Sequence, residues 1–221
     1  MNHLASSPFE PPAPVRRSVV ALFRAAALVA GFSVLSGCLS RPPLKIQTFA
    51  FEMPAPVGND AAASAPVLGL RTISVAPPFA GRSLVYRTGE FSYERDPYAQ
   101  FLDFPEQELA APLRAGLGAQ GDFSSVVMAA GIMKPDVIVE IHVSQLFGDF
   151  REPNQPKAIL RARFTFYQAT NGIAAGIILQ KEYLRSIALE KPAAAALMAG
   201  WNRALNEILA EALTDYRQHK T

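Results

Sequence analysis

Glu140 and His142 stand two apart in the run DVIVEIHVS, and in an extended chain residues i and i+2 share a face. A carboxylate beside an imidazole is a familiar pair for moving a proton, and with further ligands it could hold a metal. The rest of the inventory does not extend the pair. The other two histidines, His3 and His219, lie near the ends of the chain. A zinc site needs three or four converging His, Cys or carboxylate ligands, and no such spacing occurs. Neither a G-x-S-x-G elbow nor a Walker-type phosphate loop is present. Glu140 and His142 therefore read as a polar strand face, and a hydrolase using them would require a concave pocket at that strand pair. Arg161 and Arg163 near Tyr167 are residue types found in RNA-stacking surfaces, but they read here as solvated strand arginines. No catalytic residue, metal or cofactor is assigned.

The remaining reactive side chain is Cys38, the one cysteine of 221 residues. Upstream of it lie Arg16, Arg17 and Arg24, and then eleven uncharged residues, Ala25 to Leu35. Small residues follow at Ser36 and Gly37. That is the order of a bacterial export signal. The apolar run falls short of the ~20 residues needed to cross a bilayer. The stretch Leu-Ser-Gly-Cys resembles the lipobox, in which the thiol is diacylglycerylated and the chain is cut before Cys. Two or three acyl chains hold a protein firmly where one does not. Leu39 stands where Asp would signal inner-membrane retention, so the expectation is an outer-membrane lipoprotein. Residues 1–37 are expected to be the signal and 38–45 a lipidated tether.

Three arginines and Glu10 fall within residues 1–37, out of 21 basic and 19 acidic residues in the chain. The remainder is formally neutral, 18 against 18, which gives no electrostatic case for nucleic acid. With its thiol acylated the mature chain can form no disulfide, so its stability rests on an ordinary core.

Residues 46–221 read as a single domain. Ile46–Phe51 and Val67–Val75 suggest strands, and Leu84–Arg87 with Glu90–Tyr93 suggest a hairpin turning near Thr88-Gly89. Pro105–Leu117 predicts a helix with Leu109, Leu113 and Leu117 on one face, followed by a strand over Asp122–Met128. Period-two alternation in Asp136–Phe147, Ala158–Tyr167 and Ile177–Leu189 predicts an antiparallel meander with one wet face. From Pro192 onward Leu197, Trp201, Leu205, Ile208 and Leu213 form the stripe of a second helix. The expected fold is α+β: one mostly antiparallel sheet with two amphipathic helices on one face.

The segment Thr72–Leu117 contains APPFAGRSLVYR, then EFSYERDPYAQFLDFP, then the leucine-faced helix. It resembles the ABC-type transport auxiliary lipoprotein family over roughly residues 46–216. The resemblance implies a non-enzymatic component at the outer membrane, facing the periplasm. Its implied partner is an MCE-domain protein, linked to a permease and an ATPase that together move phospholipids or similar solutes. The stretch Pro77–Phe104 is rich in Tyr, Phe and Arg, the types enriched at interface hot spots. The expected docking residues are Pro78, Phe79, Arg82, Tyr86, Arg87, Tyr93, Tyr98 and Phe101. An independent carrier of hydrophobic ligands, with a cavity between sheet and helices, is the alternative.

Overall fold

A computed structural model describes residues 45–52, 61–128 and 133–220 of the chain. Its spine is β6 (Val137–Asp149), flanked on one side by β7 (Lys157–Thr170) and β8 (Ile173–Ala188). These three form the expected antiparallel meander. Asn171 (φ 54°) and Gly172 (φ 80°) close the β7–β8 turn. Two consecutive left-handed residues match the twist of a tight hairpin, which is why Asn-Gly stands there.

On its other side β6 has two neighbours, and the sheet forks. Its first half pairs in parallel with β2 (Val67–Val75), from Leu68 opposite Val137 to Val75 opposite Val143. Its far end pairs in parallel with β3 (Ser83–Arg87) at Gly148 and Asp149. Beyond β2 lies β5 (Ser125–Met128), and beyond β3 lie β4 (Tyr93–Phe101) and β1 (Gln47–Phe49). Three ladders, including the two longest, are antiparallel and four are parallel, so the sheet is open, mixed and eight-stranded. Strand β2 sits between two others, with Leu68, Leu70 and Val75 buried and Arg71 and Thr72 exposed.

Helices α1 (Pro105–Gly118) and α2 (Ala194–His219) cover one face. Leu109, Leu113 and Leu117 of α1 and Leu197, Trp201 and Ile208 of α2 are fully buried there. They meet Val139, Ile141, Val143, Leu160, Phe164 and Phe166 from the sheet. A bulge between Val143 and Gln145 flips the parity of β6. Leu146 therefore stays on the helix side, while Phe147 turns to the opposite face. Two polar clamps finish the packing. The Arg217 guanidinium grips both oxygens of Asp122 at 2.8 Å. Lys181 and Arg185 of β8 pair with Glu207, Glu211 and Asp215 of α2.

The second arm of the first hairpin is Tyr93–Phe101 rather than Glu90–Tyr93. Thr88 and Gly89 both donate their amides to the Ser92 carbonyl, and Arg87 donates to the carbonyls of Gly89 and Glu90. The turn is thus longer than Thr88-Gly89, and Glu90 and Phe91 belong to its tip.

Helix α2 touches β7 most closely at Gly200. A Cβ there would lie 2.7 Å from Ala158 Cβ and from Leu189 Cδ2, and Ala158 Cβ is fixed to a ladder backbone. Alanine in place of an interior helix glycine ordinarily gains about 1 kcal/mol, but overpacking costs about 1–3 kcal/mol. Gly200→Ala is expected to lower the urea midpoint. A raised midpoint would mean that α2 slides freely over the sheet.

Candidate docking surface

The hairpin β3–β4 is irregular, and one carboxylate organises it. Val85 pairs with Arg95 and Ser83 with Gln100, so β4 carries three more residues than β3 between the same two rungs. Proline at position 97 has no N–H to give the ladder. Asp96 holds the resulting bulge. Its Oδ1 accepts the amides of Tyr98 (2.7 Å) and Ala99 (3.0 Å), and its Oδ2 accepts the Tyr86 hydroxyl at 2.5 Å. Burial, and then the neighbouring Asp96 carboxylate, push the Tyr86 phenol well above its ordinary range, so it remains a neutral donor. The Tyr86 ring stacks on Phe150, with centroids 4.8 Å apart.

Around this hub the expected docking residues separate. Tyr93 and Tyr98 are 48 % and 47 % exposed, and Pro78 is exposed on the 3-10 turn Pro77–Phe79. Phe79 is largely buried and packs on Phe147 and Tyr93. Pro78, Phe79 and Tyr93, with Val85, Glu94 and Arg95, line a surface cavity of ≈ 350 Å³. Arg95 bridges it by donating to the Pro78 carbonyl, and the Arg87 guanidinium lies over the Tyr93 ring. Arg82 and Phe101 exchange two hydrogen bonds, Phe101 N–H to the Arg82 carbonyl and Arg82 Nε to the Phe101 carbonyl. Phe101 itself departs from expectation. It is 1 % exposed and stacked between Phe51 and Trp201, a core side chain with no surface to offer.

Phe91, another aromatic of the Pro77–Phe104 stretch, is 88 % exposed at the hairpin tip. Strand alternation could not have found it, because it lies in the turn. The Asp-Pro-Tyr string was the available signal for the bulge, since Asp before Pro favours local turns.

On the face of the sheet away from the helices, Glu140 and His142 line a concavity of ≈ 250 Å³. They do not form a proton relay with each other. Glu140 accepts from Arg71 (2.7 Å) and from the Tyr167 hydroxyl (2.9 Å), while His142 Nδ1 pairs with Ser74 Oγ at 2.9 Å. Gly116, Gly118 and Gly121 have the G-x-G-x-x-G spacing of a dinucleotide loop. They fall at the C-terminal end of α1, which presents carbonyls, whereas a phosphate needs helix N-terminal amides. Among the described residues no cluster of His, Cys, Asp and Glu could hold a metal, and no helix is long and apolar enough to cross a membrane.

A two-helix layer on one face of a forked sheet defines a known α+β domain. The same fold occurs in the crystal structure of a Xanthomonas campestris protein of the DUF330 family, at TM-score 0.64 and 13 % identity, covering 79 % of this chain and 100 % of that one. It recurs in an uncharacterized protein at TM-score 0.61 and 13 % identity, covering 77 % and 98 %. No curated protein matches the chain. The model of the ABC-type transport auxiliary lipoprotein component matches residues 47–215, and the chain belongs to that family.

If Asp96 sets the bulge, removing its phenol donor should loosen it. Tyr86→Phe is expected to cost about 1–2 kcal/mol, the range for a hydrogen bond to a charged group at a part-exposed site. Hydrogen exchange at the Tyr98 and Ala99 amides should quicken while Val139 stays protected. Unchanged exchange at both amides would remove Tyr86 from the account of the bulge.

Proposed function

We propose that the chain is a lipid-anchored, non-catalytic component of an MCE-type ABC system for phospholipids or similar solutes. It is held at the outer membrane through Cys38 and docks the MCE-domain protein through its β3–β4 hairpin. Cys38 and the expected signal and tether up to residue 44 lie outside the described residues. They enter through the lipobox reading, which agrees with the lipoprotein family to which the chain belongs.

The observation that carries the docking reading is the exposure of Phe91, Tyr93 and Tyr98 on a hairpin fixed at its base by buried groups. Rigid aromatic side chains offer large contact area at little entropic cost, and Tyr and Arg anchors dominate interface energies. Pro78, Arg82 and Arg87 supply a polar and aliphatic rim. A carrier of hydrophobic ligands would need room between sheet and helices. Leu109, Leu113, Trp201 and Ile208 occupy that layer without measurable exposure, which favours docking.

The test is recovery of the MCE-domain protein with the tagged full-length chain from detergent-solubilised membranes. Phe91→Ser, Tyr93→Ala and Tyr98→Ala are substitutions of exposed side chains. Hot-spot loss of more than ~1 kcal/mol corresponds to recovery reduced about fivefold or more. Wild-type recovery for all three, in proteins with unchanged unfolding midpoints, would contradict this surface.

A further inference from the structure

The concavity on the face away from the helices is not used by the docking reading, and its charge arrangement is specific. Arg163 lines it and has no hydrogen-bond or ion-pair partner among the described residues. Its neighbours on the same face are all engaged. Arg71 is paired with Glu140, and Arg161 with Glu182 and Gln145. The two carboxylates nearest Arg163 in the ladders, Glu182 beside it and Glu140 in the next rung, are therefore neutralised by other arginines. What remains in the hollow is one uncompensated guanidinium.

The surrounding groups are donors from adjacent strands. Ser74 and His142 sit opposite each other, and His142 sits opposite Arg163, so the three form one row across the sheet. When Ser74 donates to Nδ1, the ring proton lies on Nε2 and the imidazole keeps a donor at its far end. In the next row the Gln180 amide donates to Thr165 Oγ1, and the Thr165 hydroxyl is hydrogen-bonded to Tyr167. Thr72 adds a further hydroxyl. The planar arginine fork matches the two unesterified oxygens that even a phosphate diester retains. The volume of ≈ 250 Å³ is roughly eight times the ~30 Å³ that a water occupies in the liquid, which leaves space for a small substituent on the anion.

We propose that this concavity, centred on Arg163 with His142 and Thr72, binds a phosphate group, either as inorganic phosphate or a monoester or as the diester of a lipid headgroup. The full-length chain in detergent is titrated calorimetrically with inorganic phosphate and, separately, with glycerophosphocholine at matched ionic strength. Binding of at least one with Kd near or below ~1 mM is expected. Arg163→Gln should weaken it about tenfold or more, the loss of charge-assisted hydrogen bonds. Arg203→Gln, on the exposed side of α2, should leave it unchanged. Binding of phosphate alone assigns a small phosphate compound, and binding of the diester assigns a headgroup; either result supports the site. Absence of binding by both, wild-type affinity in Arg163→Gln, or equal loss in Arg203→Gln would overturn it.

Discussion

The stack of Phe51, Phe101 and Trp201 is the contact on which the rest of the molecule depends. The three rings lie with centroids 5.7–6.4 Å apart, and the indole Nε1–H donates to the Ile159 carbonyl of β7. One side chain of α2 thereby joins the central ladder, the end of β4 and the segment after β1. A fork in a sheet leaves the outer branch with few ladder bonds; β3 meets β6 at only two residue pairs. Burial of these large rings, each worth several kcal/mol when lost to alanine, compensates for that short seam.

From that anchor the hairpin follows in order. Phe101 fixes the end of β4 in the core, the Arg82–Phe101 exchange ties it to the start of β3, and Asp96 shapes the bulge between. Phe79 and Phe147 brace the other side, made possible by the bulge in β6 that turns Phe147 away from the helices. The aromatic side chains left over, Phe91, Tyr93 and Tyr98, are exposed because the backbone carrying them has no freedom to fold them inward. Solvent-facing aromatics on a rigid frame suit recognition better than packing.

Much of this was legible in the sequence, and the exceptions have local causes. Period-two alternation located β6, β7 and β8, because one face of the meander is wet and the other buried. Asn171-Gly172 marked its turn. Leucine spacing located both helices. The parallel pairings of β1, β2 and β3 were not legible, since a strand's own pattern records burial and not the direction of its neighbour. Phe101 proved to be a core side chain for a related reason. Three extra residues in β4 break the alternation that would assign each ring a side, and aromatic identity alone favours core and interface equally. The concavity around Arg163 was half visible: Glu140, His142 and Arg163 stood out as chemical types, but which arginine would remain unpaired depended on cross-strand register.

The central claim is that the β3–β4 hairpin faces the MCE-domain protein in the cell envelope. It is tested most directly by placing a photo-crosslinking amino acid at Phe91 in the full-length chain, with Ile173 at the start of β8 as comparison, since both are well exposed. Irradiation of intact cells should join position 91, and not position 173, to the MCE-domain protein. Crosslinking from 173 alone, or none from 91 in a protein that fractionates normally, would contradict it.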